Sequence, residues 1–264
     1  MRPSRGRLGG GRAFWRMDMG CYTSRLIRRV RRRRDTLPLR TPLRPARRAE
    51  RSGLVPRETG AMKLVNPQVQ QDLRDGRPLR LNVGAGYQKG EGIYSLDLLE
   101  LPGVDIVADL NRPLDLLPDD CAESIVTRHT LEHIQDLTQA LREMHRITRP
   151  GGTIDIVVPH WSQPYYYSDP THVRFFGLYT MYYFVAPGKQ PAERQVPAFY
   201  NDLRFVVDSV RIEFERPTRI DRMIGPWLNR LVNRSHAAQD FYERRLAYLF
   251  PAWEIHYRVR PDKG

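Results

Sequence analysis

Between residues 79 and 160 the chain repeats one pattern five times: a short apolar run that stops on a glycine or a polar side chain. LRLNV (79–83) leads into Gly84-Ala85-Gly86, GIYSLDL (92–98) carries Asp97, and VDIVADL (104–110) carries Asp109. ESIVTRH (123–129) ends on His129, and TIDIVVP (153–159) runs into His160. Runs of this kind, bounded by turn residues, read as strands. The spacing predicts a helix over 136–152, with Leu137, Ala140, Leu141, Met144 and Ile147 on one face. Asp136 caps its start and Pro150-Gly151-Gly152 stops it. Strands alternating with helices predict a Rossmann-like α/β fold: an open, mostly parallel twisted sheet with helices on both faces. Ligands in such sheets bind outside the carboxyl ends of the strands. The five strand ends are therefore expected on one rim.

Glycine after a strand lets a nucleotide-like ligand approach bare backbone. A nicotinamide fingerprint, G-x-G-x-x-G, fails here because position 89 is Lys89. The next strand also begins within about six residues, too few for a helical crossover. Asp97 lies 13 residues beyond Gly84 rather than the ~20 that a dinucleotide site uses.

The net charge of +13 belongs to one end of the chain. Residues 1–60 hold 18 arginines and four acids, a net of +14, which leaves residues 61–264 at −1. The block RLIRRVRRRRD (25–35) has no apolar face and repels itself. Residues 1–61 therefore read as a basic extension, disordered or non-native. An electrostatic arm for nucleic acid or an anionic surface is one account, and an organellar targeting segment is a second. LVPR (54–57) resembles a protease-recognition sequence without its usual flanks. In the fourth reading translation starts at Met62 and the upstream residues are read in frame. The body is residues 62–264: a cofactor half at 79–160, then a lid and C-terminal extension at 160–264. Two cysteines, Cys21 and Cys121, offer no disulfide framework or cysteine-based zinc site. No apolar run approaches the ~18 residues of a membrane span, so a cytoplasmic protein is expected.

The order LNVGAG, YSLDL, VDIVADL, AESIVTRHTLEHI, the helix and RPGGTIDIVVP resembles a class I S-adenosylmethionine-dependent methyltransferase, in the bacterial type 11-like group. The resemblance covers about residues 79–160, and FYERRLAYLFPAWEIHY near the C-terminus is similar to the end of some members. It implies S-adenosylmethionine as cofactor, with Gly84 and Gly86 against its methionine part. It implies Asp97 on the ribose hydroxyls, since one carboxylate has two acceptor oxygens. Asp109 is then expected on the adenine amino group, Leu110 on the ring, and His129 at the junction with the acceptor. Asn82 stands where the family has an acid, so it orients the glycine loop without attracting the cofactor by charge.

After the fifth strand, PHWSQPYYYSDPTHVRFF (159–176) lies where the family builds its substrate lid. His129, His160 and His172 are the candidate catalytic residues, because an oxygen acceptor usually needs a base. Asp169 and Arg174 are expected to line the acceptor pocket. Within HTLEH (129–133), His129 and His133 share a face if helical, His133 is taken as structural, and Glu132 as polarity favourable at a helix start. Tyr165–Tyr167 and Tyr182–Phe184 are expected to pack the insert. No metal is expected, since the loop spacing of His160, Asp169 and His172 defines no geometry. FVVDSVRIEFER (205–216) reads as a strand, 237–251 as an amphipathic helix and 252–261 as a last strand. The expected activity is methyl transfer to a small-molecule, lipid-like or sugar-type acceptor, an oxygen favoured. Two alternatives remain: a nucleic-acid methyltransferase or binder using the arginine tail, and a silent methyltransferase-like scaffold. The neutral body and the lack of an N/D-P-P-Y/F motif weigh against the first.

Overall fold

The computed structural model describes residues 61–264 apart from Lys89 and residues 215–218, so the expectations for residues 1–60 lie outside the described residues. In LRLNV the alternation takes effect directly: β2 (Leu79–Val83) buries Leu79, Leu81 and Val83 while Arg80 is exposed. The following strands are β3 (Tyr94–Asp97), β4 (Ile106–Val107), β5 (Ala122–Arg128) and β6 (Thr148–Pro159). With the short β1 (Lys63–Leu64) and the late strands β7 (Phe205–Glu213) and β8 (Glu254–Pro261), they form one sheet of order β1-β4-β3-β2-β5-β6-β8-β7. The five strands from β4 to β6 are mutually parallel; β1, β8 and β7 join antiparallel. This is the mostly parallel Rossmann-like sheet that the sequence predicts.

The chain leaves β2 toward β3 and β4, then returns to β5 on the other side of β2. A crevice opens where the strand order reverses, outside the carboxyl ends of β2, β3 and β5. Among the described residues of 84–93 there is no helix, in keeping with the short first crossover.

Helix α1 (Pro67–Arg74) starts on Asn66, whose side chain accepts from the Gln68 N–H, with Pro67 in the first turn. Helix α2 (Leu137–Ile147) is capped by Asp136, which accepts from the Gln139 N–H at 3.0 Å. Its face of Ala140, Leu141, Met144 and Ile147 is fully buried, each large side chain contributing about 1.5–3 kcal/mol. Here the expected boundary moves: β6 begins at Thr148, paired with Ala122, and the register shifts before Ser124 pairs with Thr153. Pro-Gly-Gly is thus an irregularity within one strand, with the helix ending before it. Helix α4 (His236–Arg245) stops short of the expected 251. Helix α3 (Arg219–Val232), with Pro226 inside it, occupies a stretch the sequence reading left without an element. Among the described residues no helix is long and apolar enough to cross a membrane.

Candidate functional site

The strand ends meet around one cleft of about 270 Å³, whose lining includes Gly84, Asp97, Asp109, Leu110, His129 and His133. The turn after β2 is built from main-chain bonds: the N–H groups of Gly84 and Ala85 both donate to Leu96 O, at 2.8 and 3.2 Å. The two glycines serve different ends. Gly84 has φ +71°, and a Cβ there would stand 2.7 Å from Thr130 Cβ and overlap the Thr130 hydroxyl. Gly86 has φ +54° with open space where a Cβ would be. The close approach at Gly84, which lines the cleft, is therefore made by Thr130, whereas Gly86 has open space beside it and lies outside the cleft lining.

Asp97 closes this turn. Its Oδ2 accepts from the Gly86 N–H at 2.8 Å and its Oδ1 from the Leu99 N–H at 3.0 Å. One bond per oxygen leaves each with acceptor capacity on the cleft side. That is what a vicinal diol requires, so the residues present fit the ribose of S-adenosylmethionine. Asp109 Oδ1 accepts from both the backbone and side-chain N–H of Asn111, each at 2.9 Å. Asn111 Oδ1 in turn accepts from Gln135 and Asp136 N–H, at 2.9 and 3.1 Å, tying the end of β4 to the start of α2. Asn82 is half-buried in β2, in register with Ser95 and Val126, and does not line the cleft.

His129 follows β5 with φ +51°, a left-handed conformation that costs a residue with a side chain about 1–3 kcal/mol. The turn aims its ring between two carboxylates: Nε2 lies 2.8 Å from Glu254 Oε1 and Nδ1 3.4 Å from Glu132 Oε1. Burial pulls the imidazole down, but these carboxylates more than reverse it and hold His129 up at about 9. Burial raises Glu254 in the opposite sense, and His129, His256 and Arg128 together hold it well below the usual carboxylate range. Glu254, brought in by β8 from 125 residues away, is the partner that sequence reading missed. AWEIHY is visible there as a strand, and nothing local marks its glutamate. His133, expected to be structural, lines the cleft. The helical face assumed for His129 and His133 does not form, because only Leu131–His133 make a 3-10 turn and His129 precedes it.

The insert after β6 departs from expectation. His160 is fully buried and does not reach the cleft. Its Nδ1 accepts from the Ser162 N–H at 3.1 Å, which leaves the Nε2 proton for Glu243 Oε1 at 3.1 Å. As a candidate catalytic residue it is corrected by α4, which roofs the end of β6 with Glu243 and Tyr242. His172, Asp169 and Arg174 also lie off the cleft lining. Asp169 Oδ1 accepts from the Thr171 N–H and hydroxyl, at 2.9 and 2.6 Å. The Arg174 guanidinium donates to Ile134 O at 3.2 Å and to Gln135 O, docking the insert on the rim. Of the expected packing aromatics, Tyr166, Tyr182 and Phe184 are buried, whereas Tyr165 and Tyr167 are 66% and 68% exposed.

Residues 94–156 match a family model described as a methyltransferase domain. Among solved structures, a SAM-dependent methyltransferase from Archaeoglobus fulgidus is similar at 19% identity and TM-score 0.44, over 74% of this chain and 92% of that one. The YcgJ protein from Bacillus subtilis is similar at 16% identity and TM-score 0.40, over 75% and 99%. An S-adenosylmethionine-dependent methyltransferase from Mesorhizobium loti is similar at 16% identity and TM-score 0.36, over 74% and 96%. No curated protein matches the chain. Over residues 94–156, from β3 into β6, the chain is thus similar to the methyltransferase-domain family.

Proposed function

We propose that the cleft binds S-adenosylmethionine and that the chain transfers its methyl group to a small-molecule, lipid-like or sugar-type acceptor, an oxygen favoured. One observation carries this reading: Gly84, Asp97, Asp109, Leu110 and His129, from four separate strand ends, line a single cleft. When bound, S-adenosylmethionine would supply a methyl group to the acceptor nucleophile, its sulfonium sulfur leaving as a neutral thioether, without covalent help from the protein. The chain's task is to bind, orient and exclude water. Asp97 takes the ribose hydroxyls on its remaining lone pairs, and Gly86 leaves bare backbone beside them. Asp109, steadied by Asn111, takes the adenine edge, and Leu110 packs on the ring. Asn82 holds the β2 end without adding charge. His129, fixed by Glu254, marks the acceptor end. His160 and Arg174 act as positioning residues that seat the insert, and His172 and Asp169 stand in that same insert.

Calorimetric titration of the full-length chain with S-adenosylmethionine, beside NAD and an Asp97→Ala variant, tests the reading. Micromolar binding of S-adenosylmethionine alone is expected, weakened at least tenfold by the substitution, or about 1.4 kcal/mol. Absence of binding by folded protein leaves the scaffold reading. The nucleic-acid reading turns on residues 1–61, of which 1–60 lie outside the described residues, and requires methylation of RNA or DNA that is lost when they are deleted.

A further inference from the structure

Glu132 sits in the 3-10 turn after β5 with none of its surface accessible, and among the described residues no hydrogen bond reaches either carboxylate oxygen. The nearest cationic candidates are His129 Nδ1, 3.4 Å from Oε1, and His133 Nε2, 4.0 Å from it. Buried carboxylates are ordinarily paired, hydrogen-bonded or bound to metal; Glu132 has its ion pair with His129 but no hydrogen bond to either oxygen, and that shortfall needs a reason. Two imidazoles supply one. His133 and His172 stack with ring centroids 4.8 Å apart, and one donor atom from each of Glu132, His133 and His172 lies within 4.8 Å of the others.

The surroundings fix which ring nitrogens are available. His172 Nδ1 lies 2.9 Å from Tyr166 O, and a carbonyl only accepts, so Nδ1 carries the proton and Nε2 keeps its lone pair. His133 Nδ1 lies 2.8 Å from the Thr171 hydroxyl, which donates its own proton to Asp169 Oδ1 at 2.6 Å. That hydroxyl must therefore accept from His133 Nδ1–H, and His133 Nε2 keeps its lone pair as well. Both rings are thus oriented through Nδ1 by an oxygen partner, with Nε2 left for a ligand bond, as metal-bound histidines usually are. Asp169 Oδ2 stands 3.8 Å from His172 Nε2 as a further acceptor at the edge.

We propose that Glu132, His133 and His172 form a binding site for one divalent ion of the zinc class. Two imidazole nitrogens and a carboxylate oxygen are a donor set that zinc takes, with a further position left for water or another oxygen ligand. His172 comes from the insert and the other two from the rim, so the ion clamps the insert beside the cleft that His133 lines. This site stands whether or not the cleft transfers methyl groups. It differs from the expectation of no metal, which rested on His160, Asp169 and His172, by taking Glu132 and His133 beside His172.

The test is metal uptake by the full-length chain after chelation and dialysis. Zn²⁺ is titrated by calorimetry and Co²⁺ by visible absorption, for the wild type, His172→Ala and His256→Ala. One ion per chain at micromolar affinity or better is expected, with cobalt bands of a low-coordinate site. His172→Ala weakens binding at least tenfold and removes the bands. His256→Ala, beside Glu254 and separated from Glu132 by Glu254 and His129, leaves both in place. No stoichiometric uptake by folded protein, uptake that survives His172→Ala, or uptake lost with His256→Ala overturns the proposal. If His172→Ala does not fold, His133→Gln, at a partly exposed position, gives the same readings.

Discussion

The glycine turn after β2 and the aromatic insert after β6 both begin at strand ends, and they are held in different ways. The turn is held by its own main chain, through Leu96 O and through the short reach of Asp97 to the Gly86 N–H. The insert has only brief 3-10 turns and is held by side chains that reach distant carbonyls and acids. Tyr257 donates to Gly177 O at 2.7 Å across 80 residues, and Tyr179 donates to Asp240 Oδ1 at 2.8 Å across 61. A backbone-held turn depends on which φ values and which volumes its residues allow. A side-chain-held insert depends on a few buried rings finding their partners.

Substitutions can break or sharpen this contrast. The largest effect is expected in the insert. Tyr166 is 2% exposed and its hydroxyl donates to Arg174 O, so Tyr166→Ala should cost about 3–5 kcal/mol in denaturant unfolding. In the turn, Gly84→Ala meets both a left-handed φ and Thr130, and should cost about 3 kcal/mol by the same measurement. Glu254→Gln, which unpairs Arg128, His129 and His256, should cost about 2 kcal/mol near neutral pH. Glu254 is held below its usual range in the folded chain, so its contribution is present above about pH 4.5 and lost as pH falls. The gap between wild type and Glu254→Gln should accordingly stay constant above about pH 4.5 and narrow below it, which unfolding curves from pH 7 to pH 3 would read. Gly86→Ala meets the φ penalty alone, about 1 kcal/mol, and if it equals Gly84→Ala the distinction between the two glycines fails. Tyr165→Ser and Tyr167→Ser, at exposed positions, should stay within about 0.5 kcal/mol. Equal losses at all three tyrosines would mean that the insert is not held by its middle ring.

The same contrast accounts for what could be read in advance. Period-two alternation in LRLNV and ESIVTRH places the strands, and strand ends carry Asp97, Asp109 and His129 to the cleft with no further information needed. The split roles of Gly84 and Gly86 are not legible, because Thr130 reaches Gly84 from the turn after β5. His160 was misplaced for a related reason: its position at a strand end was correct, but the roof over that end comes from Glu243, 83 residues on. Glu132 reads as ordinary helix-start polarity until its burial and its lack of hydrogen bonds are seen. Glu254 lies within a recognisable strand, and only the pairing of β8 with β6 brings it to His129.

The place of β8 has a consequence for synthesis. It is the last strand among the described residues, yet it lies between β6 and β7 rather than at an edge. Residues 129 and 254 leave the ribosome roughly 10 s apart, at about 5–20 residues per second. For that interval the parallel strands can assemble, but the long β6 has an unpaired flank and His129 lacks its carboxylate partner. A nascent chain in that state offers an open strand edge to any neighbour able to pair with it. The step that brings Glu254 to His129 is thus also the step that shields the growing chain from aggregation.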